Sequence, residues 1–336
     1  MSNPRKATVS FQRIGAKTKR VLTDYLESFT YKDIAEGGSD SVSVSLINLN
    51  KNFLSKWLPR KGERYAATIS AENWLAYGKK AKIPCGTFTL DEYSVQGRPL
   101  TASLGMISAP ASSAFSTKER TKTWKKVTIQ QIARTIAKRY KLKLVYQAGK
   151  ISIKNLEQNN KADSSFLNDL CNDYGIAMKI FANKLVLYSE ASYEGKKAVI
   201  TVDEKDMESW SVTDTLAGTF TGCKYSYTDP STNKTVKVQV GKGSRWLTIN
   251  GEASSKADAQ KRAFEAVNNS NKDKTKIKFD IFPTPKIYAT CCIKLTGLGK
   301  LGGKYFVTGV NHTVTPSGYR MSVEARKVQT RLKKKK

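Results

Sequence analysis

Side chains able to do chemistry are few in this sequence and poorly spaced for it. There is one histidine, His312, among 336 residues, which leaves a His-dependent triad or acid–base pair a poor candidate. His312 falls inside an alternating stretch, where a structural role is expected. The cysteines are Cys85, Cys171, Cys223, Cys291 and Cys292; their number is odd and no CxxC occurs. That pattern fits reduced, mostly buried thiols, and with one His it cannot supply the usual zinc ligand sets. Asp203, Glu204, Asp206 and Glu208 bring together carboxylates of the kind that cleave glycosides, but spacing alone favours a solvated loop. The run Gly297-Leu-Gly-Lys-Leu-Gly-Gly-Lys has the look of a phosphate cradle. It lacks a hydroxyl residue after the lysine and precedes a strand, so a β-turn is expected. No catalytic residue, metal site or cofactor follows from these groups.

What the sequence has in quantity is positive charge. Lys and Arg number 58 against 28 Asp and Glu, a net charge of +30. Residues 1–20 carry six basic residues and no acid, residues 118–154 carry twelve and only Glu119, and the last eleven carry seven and no acid. Such a field draws nucleic acid, acidic protein surfaces or anionic membranes, although solvated faces and a frayed tail would also carry it. Arg5, Lys6, Arg13 and the tail Lys333, Lys334, Lys335 and Lys336 form the candidate contact surface. The tail is expected to be disordered in the protein alone, since it buries nothing. No stretch approaches the roughly 18 apolar residues of a membrane span, and the first residues lack a signal peptide's apolar core. A soluble protein made in a cytoplasm is expected, with two or three domains.

The elements that must position these groups are mainly strands, and one hairpin occurs twice. The first copy opens at Gly86, with Phe88 and Leu90 following at alternate positions and a turn at Gln96-Gly-Arg-Pro. The second opens at Gly303, with Tyr305 and Val307 and a turn at Thr315-Pro-Ser-Gly. Upstream, Tyr65-Ala-Ala matches Tyr288-Ala-Thr. Duplication is the reading, with Phe88 expected over Tyr305 and Tyr65 over Tyr288. Strands are also expected at residues 5–14, 41–47, 199–202, 210–212, 218–227 and 236–240, a turn at Gly37-Gly-Ser-Asp, and a short helix at residues 51–57. Residues 110–117 read as a linker.

Between the β-rich parts the period changes. Ile129, Ile132, Ala133, Ile136, Ala137 and Tyr140 give a helical stripe, with Thr128 and Gln131 as a capping box. Leu142, Leu144 and Tyr146 alternate after it. A second helix begins at Ser164 or Ser165, with Phe166, Leu170 and Tyr174 on one face and Gly175 closing it. Residues 176–181 and 185–188 form a hairpin. This module, 125–190, is expected to have its own core and to be peripheral and separable. A last helix, capped by Ser254 or Ser255, runs to about Ser270 and carries an Asp258–Arg262 pair. The fold class is α+β, mainly β: two related β-barrel domains, 1–112 and 197–331, a linker and small α+β module at 113–196, and a basic tail at 332–336.

Leu156-Glu-Gln-Asn-Asn, Asp163-Ser-Ser-Phe-Leu-Asn-Asp-Leu-Cys-Asn-Asp-Tyr-Gly and Lys184-Leu-Val-Leu-Tyr resemble the middle segment of the phage late control protein D family. Gly251-Glu-Ala-Ser-Ser-Lys-Ala-Asp-Ala and the hairpin from Gly303 through Gly318-Tyr resemble its C-terminal domain. The resemblance covers about residues 125–330 well and 1–110 weakly. It implies a baseplate hub of contractile phage tails or R-type bacteriocins, also similar to the N-terminal part of type VI secretion spikes. It implies a homotrimer adapting a sixfold tail tube to a threefold spike, with tube protein, a separate spike and other baseplate components as partners, and DNA passing the lumen in a phage. No enzyme is implied, and the protein would sit in the particle after assembly in a bacterial cytoplasm. The alternatives are a basic nucleic-acid-binding protein and a cell-wall-binding or hydrolase tail component.

Overall fold

Alternating apolar residues put the first strands on one sheet. The computed structural model describes residues 4–15, 25–47, 51–55, 57–74, 77–108, 114–229 and 232–333. Its first half supplies β1 (Lys6–Arg13), β2 (Leu26–Ile34), the short β3 (Gly38–Ser39), β4 (Ser41–Ile47), β5 (Arg64–Glu72), β6 (Lys80–Gln96) and β7 (Thr101–Ile107). Alternate residues point inward, as strand geometry requires: Val9 and Phe11, Phe29 and Tyr31, Val42 and Val44, and Leu104 and Met106 share one core. Strands from both ends of the first half's sheet, β1 and β2, meet in that core.

The middle supplies α1 (Ala114–Thr117), β8 (Glu119–Thr128), α2 (Ile129–Arg139), β9 (Lys143–Gln147), β10 (Ser152–Ala162), α3 (Asp163–Asp173), β11 (Ile176–Phe181), β12 (Lys184–Ser189) and α4 (Glu190–Glu194). Thr128 and Gln131 form the capping box of α2. Ile129, Ile132, Ile136 and Tyr140 share a core with Phe166, Leu170 and Tyr174. The antiparallel ribbon of β8 and β10 is not anticipated from the sequence, because its apolar residues are too sparse to alternate. Two other expectations are corrected here. Gly38–Ser39 is a strand parallel to β11, not a turn, because the module offers it an edge. The helix expected at 51–57 is a single 3-10 turn, Asn52–Leu54. Residues 110–113 of the expected linker lie outside the described residues.

The last part supplies β13 (Thr201–Asp203), β14 (Met207–Asp214), β15 (Gly222–Thr228), β16 (Thr235–Gly241), β17 (Trp246–Asn250), α5 (Lys256–Asn271), β18 (Thr275–Ile281), β19 (Cys292–Thr296), β20 (Gly303–Thr315) and β21 (Gly318–Lys327). Strands β15, β16 and β17 with α5 are a separate small unit with its own core around Cys223, Tyr225, Val240 and Ala263. Without it, the two halves have one topology. Neighbour order is β1-β5-β6-β7-β4-β2 in the first and β13-β19-β20-β21-β18-β14 in the second. Counted within each half, both orders are the same.

The registers agree residue by residue. Leu90 faces Met106 and Val307 faces Ala325, each just before a bulge. Leu26 faces Leu46 and Met207 faces Ile281, again each before a bulge. This aligns Leu26-Glu-Ser-Phe-Thr-Tyr-Lys-Asp with Met207-Glu-Ser-Trp-Ser-Val-Thr-Asp. Gly86 and Gly303 both have positive φ, 105° and 123°, which explains why each hairpin opens with glycine. Tyr65 does not correspond to Tyr288. Phe88 faces Tyr65 and Tyr305 faces Ile293, so Ile293 is the counterpart. Tyr288 lies before β19, outside any strand, and is 49% exposed. One pairing differs: β1 is antiparallel to β5, whereas β13 is parallel to β19. The halves are welded where β2 pairs with β20, making one sheet of twelve strands.

Candidate functional site

The chemical candidates of the sequence have structural partners. Among the described residues, no three His, Cys, Asp or Glu side chains gather to hold a metal. His312 Nδ1 lies 2.7 Å from the Tyr319 hydroxyl and its ring stacks on Tyr31; burial pushes its pKa down to about 4. All five cysteines are buried and unpaired. Asp203 caps the Glu204–Asp206 turn and accepts from the Thr296 hydroxyl at 2.8 Å, which holds its carboxyl below the usual range. Glu204 accepts from the Trp210 indole at 2.9 Å. The acidic group therefore braces a turn and is not simply a solvated loop. Gly299–Leu301 is a 3-10 turn leading into β20.

What the fold assembles is charge at the joints between its units. At the first joint, Lys179 of β11 lies 3.0 Å from both Asp33 and Asp40. Tyr31 donates to Asp40 at 3.1 Å, and the Ala289 amide donates to Asp33 at 2.8 Å. Burial raises the Asp40 pKa to about 6 against the opposing pull of Lys179. One lysine thus ties the module to the first half at a point that also touches the second.

The second joint is larger. Arg326 on β21, 1% exposed, bonds Glu194 and lies 3.9 Å from Glu190, both on α4. Lys272, just past α5, contacts Glu190 at 2.7 Å and Glu36 at 2.9 Å. Arg331 reaches Glu194 at 3.1 Å and Glu265 at 3.2 Å. Burial and the neighbouring Glu190 raise the Glu36 pKa to about 7. Burial acts upward on Glu190 too, but its bonds to Glu36 and Lys272 outweigh it and hold the group at about 2. A third joint sets Arg262 of α5 2.7 Å from Asp173 and 3.1 Å from the Tyr174 hydroxyl, on and just after α3. The Asp258–Arg262 pair read from the sequence is longer, 3.7 Å. With these joints the module is tied to every other unit. Its expected separability does not fit that arrangement.

The proposed basic surface is divided. Arg5 is exposed but lies over the Phe282 ring at 4.3 Å, and Arg13 pairs with Glu63 at 2.9 Å. Lys6 and Lys333 are exposed; Lys334, Lys335 and Lys336 lie outside the described residues. Leu332, the first residue of the expected 332–336 tail, is fixed, since its backbone exchanges two bonds with the Asn268 amide, at 2.7 and 3.0 Å. Part of the 118–154 cluster lines a groove with Arg64 and Asn183: Lys118, Arg120, Arg139 and Lys141. Arg120 and Arg139 there also hold the buried Asp163. No helix among the described residues is long and apolar enough to cross a membrane.

No family profile matches the chain. A probable baseplate hub protein of Escherichia phage 186 is 28% identical over 170 residues, which are 48% of this chain and 43% of that relative. The match thus spans less than half of the relative's length. Among solved structures, a tail protein from Neisseria meningitidis MC58 is similar with a TM-score of 0.72 and 12% identity, covering 96% of each chain. The 43 kDa tail protein of prophage MuSo2 from Shewanella oneidensis gives 0.70 and 13%, covering 95% of this chain and 98% of that one. An E. coli type VI secretion component gives 0.60 and 10%, covering 96% and 78%. The chain has the fold of these tail and secretion proteins, in agreement with the resemblance to baseplate hubs read from its residues.

Proposed function

We propose that this chain is a structural hub of a contractile injection particle, a phage tail or a phage-tail-like bacteriocin. Three copies form a ring that joins a sixfold tail tube to a threefold spike. The observation that carries this reading is the duplicated half: three chains with two equivalent halves each offer six similar units around one axis. The hub units are the halves within 1–112 and 197–331, and the 113–196 module braces them. Tube, spike and other baseplate proteins are the partners, and DNA crosses the lumen if the particle is a phage. The protein is built into the particle in the bacterial cytoplasm. Like charge of +30 per chain opposes assembly until acidic neighbours or salt screen it, and it steers such neighbours into place. Native mass spectrometry of the chain, alone and with tube and spike proteins, tests the reading. A three-copy complex is expected; a complex holding two or four copies, or no complex under any of these conditions, overturns it.

A further inference from the structure

The halves differ in what covers two strand edges. On β20, residues 303–306 pair with β19, and on the same edge residues 309–314 pair with β2. On β6, the matching edge carries β5 only as far as Thr89; among the described residues no strand pairs with residues 91–96 there. Strand β2 is covered on both edges, by β4 and β20, but among the described residues its counterpart β14 pairs only with β18. Both bare stretches are solvent-facing, with Tyr93 37% and Trp210 42% exposed. Bare edges of this length invite strand addition, and the charges that could blunt them, Asp91 and Glu92 on β6 and Glu208 and Asp214 on β14, stand only towards the ends of these stretches.

We propose that β14 of one copy adds to residues 92–96 of β6 in a second copy, repeating between chains the β2–β20 seam within each. This rests on the hub reading and names its subunit interface. Carrying the internal register across sets Ser211 opposite Gln96, Val212 opposite Val95, Thr213 opposite Ser94 and Asp214 opposite Tyr93. The side-chain chemistry of the seam is kept. Thr30 and Thr313, with hydroxyls 3.4 Å apart, are replaced by Ser211 and Gln96, again a hydrogen-bonding pair. Tyr31 and His312, stacked face to face, are replaced by Val212 and Val95, each already packed against the core of its own half. Phe29 beside Val314 becomes the larger Trp210 beside Gly97, where a Cβ would meet nothing within 4 Å. No like charges face each other in this register. The contact is heterologous, β14 to β6, the kind that builds a ring when its rotation closes, as the three-copy reading requires.

Cysteines at the facing positions test the register, since antiparallel partners lie about 4.5–5.5 Å apart, within reach of a disulfide. Thr213→Cys and Ser94→Cys are combined in the full chain under the conditions that give the native-mass complex, then mildly oxidised. Both sites are exposed in the lone chain, so each variant should melt with the wild type. The double variant is expected to run on a non-reducing gel as two- and three-chain species, and neither single variant should. If the native complex forms but the double variant stays uncrosslinked, the interface proposal is wrong while the hub reading stands. If no complex forms from the unaltered chain with its partners, the hub reading fails as well. Tyr93→Pro, which removes an amide donor on the bare edge of β6, should independently abolish the complex without lowering the melting temperature; an unchanged complex would overturn the seam.

Discussion

The two halves share strand order, register and bulges, yet they finish the same pair of polar positions differently. Asp33 and Asp214 are counterparts, as are Asp40 and Thr275. In the second half Thr275 donates to Asp214 at 2.5 Å, and the pair is closed within the sheet. In the first half two carboxylates meet instead, and Lys179 must come from the module to sit between them. Arg326 likewise stands where the first half has Ile107, and its charge is answered by Glu190 and Glu194 of the module. Each half is incomplete at a different position. The module supplies the missing charge to both, which explains why it is wedged between them.

Replacing Arg326 by the first half's residue probes this difference most severely. Arg326→Ile leaves Glu190 and Glu194 short of a buried partner and should cost roughly 3–5 kcal/mol, read from denaturant midpoints. Unchanged or raised stability would mean the cluster is dispensable. Lys179→Met should cost less, roughly 1–3 kcal/mol, because Asp33 and Asp40 keep bonds to Ala289, Tyr31 and Ile34. Adding Asp40→Thr copies the second half's solution and should recover much of that loss. A double-mutant cycle without coupling would break the equivalence of the two sites.

How much of this was legible depended on distance along the chain. The α2 stripe, its cap and the two hairpins are local, and period alone reports them. The true second repeat, Leu26 to Asp33 against Met207 to Asp214, was present as Glu-Ser-aromatic with a closing Asp. It is short, and only the shared bulges fix its alignment. The Tyr288 match failed because two residues of identity say nothing about register. The joints were invisible for a simpler reason: Lys272 and Glu36 lie 236 positions apart, and no spacing rule connects them.

The acid–base behaviour of the second joint sharpens the comparison further. Glu36, with its pKa raised from 4.5 to about 7, adds stability below pH 4.5 that is lost as pH rises through 7. Glu190, lowered to about 2, adds stability above pH 4.5 that is lost as pH falls toward 2. Glu36→Gln keeps a neutral group at every pH. It should flatten the loss between pH 4.5 and 7 and raise stability at pH 8 by about 1 kcal/mol; a steeper loss in the variant would reverse the assignment. The smallest effect belongs to the tail. Ending the chain after Leu332 should change stability by no more than about 0.5 kcal/mol, whereas ending it after Thr330 also removes Arg331 and the Asn268 bonds. Equal melting of the two truncations would show that Arg331 contributes nothing to the joint.

The most direct test is an electron cryo-microscopy reconstruction of the assembled ring, computed without imposed symmetry. The expected map holds three chains as six evenly spaced lobes at one radius, with β2–β20 seams alternating with β14–β6 seams around a continuous inner sheet. Another number of chains, or the two halves of each chain lying at different radii, would contradict their equivalence.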